Sequence, residues 1–371
     1  MAWSIDRIEK ELLLCPASTV ALSLETLVAA VNRVERNLGA EWIDSEISQV
    51  KGLSIAMRVI GMGLRLPAIE NLPRADQLIT KLRRRDQNAD AELTAIYLFR
   101  STAPSAQLEL YPPVGQREAD FRVRESAQSE WTTVEVTQPM SSDEEHRINK
   151  MLRHLLSAFE KLKNPFSLDV LFRREPTENE IAVLCDRLPE FCQLSGPQRA
   201  ELVDGMGFLF LNHVEIGKLG LCEVPELANT PTIGVTAFFS DPTGGGGPHH
   251  QASVRIPFTD DRAEEILRTE AKQLPKDESG LVMINVSLSP KETPVWVSLI
   301  ERRFQPKIHT RVSGVCLFSG AMVPVGTQYD WLLQTKLLVN RHAKLQLPDW
   351  IKNAIVSAGN TFERAFEAAY C

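Results

Sequence analysis

Between residues 89 and 175 the apolar periodicity passes from that of a helix to that of strands and back, which confines the chain to an α/β fold. "DAELTAIYLFRS" predicts a helix with Glu92, Ala95, Ile96 and Phe99 along one side. "AQLELYPP", "EADFRVRE" and "EWTTVEVTQ" predict three strands, separated by short polar or Pro/Gly segments. In the next stretch Ile148, Met151, Leu152, Leu155, Leu156, Phe159 and Leu162 form a helical stripe, and Asp143, Glu144 and Glu145 suit its N-terminus. "FSLDVLFRRE" is expected to close the unit as a further strand. The expected fold is α/β, a mixed sheet flanked by helices.

Around this core, residues 1–88 read as a helical region. Its last amphipathic helix, "RADQLITKLRRRDQ", ends in Lys81, Arg83, Arg84 and Arg85. Such a run suits a solvated face or a helix C-terminus first and a phosphate contact second. Residues 177–250 read as an inserted α+β segment, with "ENEIAVLCDRL" and "GPQRAELVDGM" as helices and "GFLFLNHVEI" and "IGVTAFFSD" as strands. The glycine loop "DPTGGGGPHH" lacks the Lys-Ser/Thr ending of a phosphate-binding loop, and His249 and His250 are expected to be exposed there. Residues 251–320 are expected to continue the core sheet through "GLVMINVSL" and "VSGVCLFSG", and 321–371 to form a C-terminal helical region.

The 371 residues suffice for two or three cooperating units. No apolar run approaches the ~20 residues of a membrane-spanning helix, so no membrane association is expected. The opening "MAWSIDRIEKELLLCP" places Asp6, Arg7, Glu9 and Lys10 ahead of a short apolar stretch, unlike a secretory signal, and the expected compartment is the cytoplasm. Six cysteines without a CxxC pair read as buried free thiols. A net charge of −7 speaks against a uniformly basic surface but leaves room for a local basic cleft. HExxH, GxSxG and the dinucleotide fingerprint are absent, "IGMGLRLP" having two glycines of the last and no βαβ setting.

Chemistry is best carried by the second and third strands. Side chains alternate faces along a strand, so Trp131, Thr133, Glu135 and Thr137 share one face. Glu118, Asp120, Arg122 and Arg124 share one face of the preceding strand. If the two pair antiparallel, Asp120 and Glu135 converge. Two close carboxylates repel, and a divalent cation between them, Mg²⁺ or Mn²⁺ by the hardness of oxygen ligands, is the usual remedy. Such a metal polarises a phosphoryl oxygen and activates water, which would make a phosphodiesterase site. The plainer alternative pairs Asp120 and Glu135 with Arg122 or Arg124 as ordinary sheet charges.

"ELTAIYLFR", "EADFRVRE" and "WTTVEVTQP" resemble the helix, the Asp strand and the Glu strand of the restriction-endonuclease-like superfamily, whose signature is PD-(D/E)xK. The resemblance covers about residues 89–175, with the strands near 281–287 and 312–318 extending the sheet. It implies a metal-dependent nuclease acting on DNA ahead of RNA. It also implies metal ligation by Asp120 and Glu135 and a supporting acidic role for Glu92. Thr137 stands where the signature has Lys. A hydroxyl orients water but brings no positive charge, so Lys150 and Lys272 are the candidates for a displaced lysine, each also readable as a solvated surface lysine. Arg122 and Arg124 are the candidate phosphate contacts. The alternative implied by the missing lysine is an inactive pseudo-nuclease serving as a binding or assembly module, for example in bacterial defence, with a protein partner or a second copy of the chain.

Overall fold

The structure, a computed structural model, describes residues 7–8, 23–49, 53–86, 88–139, 143–162, 166–194, 196–202, 205–211, 232–239, 250–257, 262–287, 293–325 and 328–370. In chain order the helices α1 (Leu24–Leu38), α2 (Ala40–Gln49), α3 (Leu53–Arg65), α4 (Ala75–Arg84) and α5 (Ala89–Thr102) come first. Strands β1 (Gln107–Leu110), β2 (Pro113–Val114), β3 (Arg117–Glu118), β4 (Phe121–Arg124) and β5 (Thr132–Thr137) follow, then α6 (Asp143–Glu160) and β6 (Ser167–Phe172). Next are α7 (Glu178–Phe191), β7 (Gln198–Glu201), β8 (Gly207–Leu211), β9 (Thr232–Phe239), β10 (His250–Pro257) and α8 (Arg262–Gln273). The chain continues with β11 (Ser279–Asn285), α9 (Thr293–Glu301), β12 (Gly314–Val325), β13 (Gln328–Val339) and α10 (Asp349–Tyr370).

Two compact units result, Met1–Pro139 with Glu264–Leu288 and Ile300–Cys371, and Met140–Ala263 with Ser289–Leu299. The first is α/β, built on a mixed six-stranded sheet in the order β1-β4-β5-β11-β12-β13 and flanked by helices. The strand pairs β1–β4 and β4–β5 are antiparallel, as short connections dictate. Strand β11 lies parallel to both β5 and β12, and every one of its residues is buried, which explains the continuous apolar run of "GLVMIN". On one sheet face the ring of Phe99 from α5 stands edge-on to Phe121 of β4 and Trp350 of α10, at centroid distances of 6.0 and 6.3 Å.

Three sequence expectations change here. The strand at 167–172 does not extend this sheet, because β11 occupies the edge of β5 that it would need; β6 lies instead at the centre of the other unit's sheet. The core expected at 89–176 is therefore divided at Pro139. Residues 321–371 are not purely helical: β12 and β13 form one long antiparallel hairpin, which the leucine pairs of "WLLQTKLLV" hide from a simple alternation test. The glycines of "IGMGLRLP" have a packing role, since a Cβ on Gly61 would strike the Trp331 ring and one on Gly63 the backbone of Ala30.

The second unit carries a five-stranded sheet, β7-β8-β6-β10-β9. The stripe on α6 does what its spacing predicts: Ile148, Met151, Leu152, Leu155 and Phe159 are buried in one core with Leu168, Val170 and Phe172 of β6. Thr177 caps α7 in a capping box with Glu180. "GPQRAELVDGM", expected as a helix, instead supplies β7, where pairing with the fully buried "GFLFL" of β8 overrides the helix preference of Ala and Glu. His250 is not in a loop but begins β10, opposite Phe239; His249 and the glycine loop lie outside the described residues. Among the described residues no helix is long and apolar enough to cross a membrane.

Candidate active site: a carboxylate-lined cleft

Strand β5 is buried along its whole length, with Val134 and Val136 in the core that α5 covers and Thr133, Glu135 and Thr137 on the other face. The β4–β5 ladder runs from Val123↔Thr132 to Phe121↔Val134 and stops. Asp120, one residue before β4, takes over: its Oδ2 accepts the backbone N–H of Val136 at 2.7 Å. The Glu135 carboxyl lies beside that of Asp120, whose charge acts on it directly. The two acids thus converge as the alternation implies, Asp120 tied to the Val136 backbone and both opening on a cleft of about 340 Å³.

Among the described residues five carboxylates line that cleft, Asp86, Glu92, Asp120, Glu135 and Glu270, together with Lys81 and Gln273. Glu135 is 2% exposed and its Oε1 has no hydrogen-bond partner. Burial, the neighbouring Asp120 and then Glu270 push its carboxyl far above the ordinary range. Asp120 is raised by enclosure and by Glu92, against the lowering hydrogen bond from Val136. Glu270, on α8, is raised by burial although Gln273 donates to it at 2.7 Å.

Glu92 is held differently. The Lys81 ammonium lies 3.0 and 3.2 Å from its two oxygens, and the Tyr111 hydroxyl donates at 2.8 Å. Lys81 also sits 4.3 Å from the centre of the Tyr111 ring. Burial and the adjoining Glu92 raise the Tyr111 phenol well above its usual value, which keeps it a donor. Tyr111 achieves this in the left-handed region, at φ +52°, with its carbonyl accepting from Arg74.

Of the residues the sequence singles out, Glu92, Asp120 and Glu135 meet in the cleft. Thr137 is buried further along β5 and does not border it. Lys150 belongs to the second unit, where its exposed ammonium pairs with Glu178 at 2.7 Å, and it is not among the residues that line the cleft. Lys272 points to solvent, since the cleft-facing positions of α8 are Glu270 and Gln273, three residues apart on one helix face. Arg122 is engaged by Glu109 at 2.8 Å and Glu278 at 3.4 Å, and Arg124 by Gln107 and the Ala127 carbonyl, with both guanidinium groups over Trp131. Neither Asp120 nor Glu135 is ion-paired to an arginine among the described residues, which removes the plainer alternative.

Sequence reasoning missed Lys81, Tyr111, Glu270 and Gln273 as members of one site. Lys81 was visible only as part of a basic run, and the spacing of Glu270 and Gln273 was visible but undirected. Among the described residues no group of three or more His, Cys, Asp or Glu is arranged to hold a metal ion. The donors nonetheless suit a hard cation: two convergent carboxylates, one with a vacant buried oxygen, are the kind of set Mg²⁺ uses, since it takes one or two carboxylates and completes its shell with water and phosphate. No protein-family model matches the sequence, and neither a curated protein nor a solved structure matches it.

Proposed function

We propose that the cleft is a divalent-cation site for phosphodiester hydrolysis and that the chain is a divergent restriction-endonuclease-like nuclease of the PD-(D/E)xK type, acting on DNA. The observation that carries this reading is the buried, unpartnered Oε1 of Glu135 beside Asp120. A carboxylate left in that state costs several kcal/mol unless it holds a proton or a cation. Mg²⁺ or Mn²⁺, held by Asp120 and Glu135, would supply Lewis acidity toward a phosphoryl oxygen and a more acidic water. The chain's own residues supply the rest. Lys81, fixed by Glu92 and Tyr111, offers the positive charge that Thr137 lacks, near where charge builds on the phosphate. Glu270 can take the proton of the attacking water, its basicity raised by burial toward working pH. The P–O bond then breaks and the leaving oxygen is protonated from solvent.

The test is cleavage of plasmid and single-stranded DNA with Mg²⁺ or Mn²⁺, wild type against Asp120→Ala, alongside calorimetric titration with Mn²⁺. The expected result is cation-dependent cleavage lost in the variant, and Mn²⁺ binding that releases protons and tightens with rising pH. Equal cleavage by both proteins refutes the assignment. A second reading, an inactive nuclease-like binding or assembly module, is favoured by Thr137 and by the engagement of Lys81 with Glu92. Absent Mn²⁺ binding would select it.

A further inference from the structure

A second hollow in the same unit, about 720 Å³, borders every residue from Pro104 to Leu110 in succession. Because alternate side chains of a strand point to opposite faces, a hollow that touches each residue in turn follows the strand's edge rather than a face. Strand β1 is the outermost of its sheet, so its far side meets no other strand among the described residues. An open edge presents backbone N–H and C=O groups ready to pair with an extended chain.

Charge decides what kind of chain. Arg124 stands on the sheet face that carries Trp131, and Arg100 belongs to α5, which packs on the opposite face through Phe99. Arg124 is met by neutral acceptors, Gln107 and the Ala127 carbonyl. Arg100 has no hydrogen bond or ion pair among the described residues. Arg74, also at the hollow, is partly offset by Glu118 at 2.5 Å. The one acid bordering the hollow among the described residues, Glu109, accepts from Arg122 at 2.8 and 3.0 Å. The edge is therefore flanked on both faces by uncompensated positive charge.

We propose that the β1 edge is a docking site for an extended acidic segment of a partner protein, which adds to the sheet as a further strand. Its alternate side chains would turn toward Arg124 and Arg100 by turns, so acids on both of its faces find a guanidinium group, while backbone pairing supplies affinity. A nucleic-acid strand fits less well, because phosphates carry no donor for the carbonyl oxygens of the edge. The proposal is independent of the chemistry assigned to the cleft.

The test uses the full chain and a fluorescein-labelled decapeptide of Glu, Val and Thr, with Glu on both faces of the extended form. Anisotropy should report saturable binding, weakened about ten-fold by Arg100→Glu and by Arg124→Glu. The same peptide with alternate backbone amides N-methylated should not bind, a comparison that needs no altered protein. Equal binding of the methylated peptide, unchanged binding by both variants, or binding of oligothymidylate but not of the peptide would each overturn the proposal.

Discussion

The cleft of the first unit and the α6–α7 surface of the second use the same residue types to opposite effect. On that surface Arg147–Glu175, Lys150–Glu178 and Arg174–Glu180 are matched one to one, at 2.6 to 2.7 Å and in reach of solvent. Glu180 is made more acidic, down to about 2, by Arg174 and the Thr177 backbone, and Glu178 by Lys150. In the cleft one ammonium faces five carboxylates among the described residues, and Asp120, Glu135 and Glu270 are all made less acidic by enclosure. Environment, not residue type, separates a charge that merely decorates a surface from one that stores unfavourable energy for a ligand or a proton to release.

That contrast can be broken most sharply at its two lysines. Lys81→Met should reduce DNA cleavage by about 100-fold, the scale of one lost transition-state donor, whereas Lys150→Met should leave it unchanged. Urea unfolding should show Lys81→Met less stable by about 2 kcal/mol. That lies below the roughly 3–5 kcal/mol of a fully enclosed pair, because the Lys81 side chain is 35% exposed. A smaller effect is expected from Glu135→Gln, which should stabilise the protein by about 1 kcal/mol at pH 8 and by nothing at pH 4. The sign follows from the raised carboxyls. The folded state retains protons that the unfolded state gives up, so stability declines as pH rises from about 4 through about 7, where Asp120 titrates, and on to about 10, where Glu135 does. Glu135→Gln flattens that decline. Smallest of all, Glu178→Gln should leave the melting temperature where it was, since its ion pair is fully in water. A shift of several degrees there would undo the comparison.

What the sequence disclosed followed the range of the forces involved. Alternation along "EWTTVEVTQ" placed Glu135 on the right face, and a short connection made the antiparallel meeting with Asp120 foreseeable. The same logic failed for β6, because the choice between two sheets rests on which strand claims the edge of β5, and β11 arrives from 147 residues downstream, Ser279 opposite Thr132. Lys81 and Glu270 escaped for a related reason. Each sits on an amphipathic helix whose solvated face looks uniform until the fold shows which part of it is covered. Lys272 does stand on the cleft helix, between Glu270 and Gln273, but on its solvent side, and Lys150 follows β5 in the chain yet belongs to the other unit.

Tyr111 imposes two unrelated demands on one position. Its left-handed backbone would be relieved by Gly or Asn, and neither can reach Glu92 with a phenol; Phe would keep the ring under Lys81 and leave a buried carboxylate oxygen with the Lys81 ammonium as its one remaining donor among the described residues. A saturation library at this site should therefore return almost no tolerated replacement, an intolerance that neither hydrophobicity nor size would forecast.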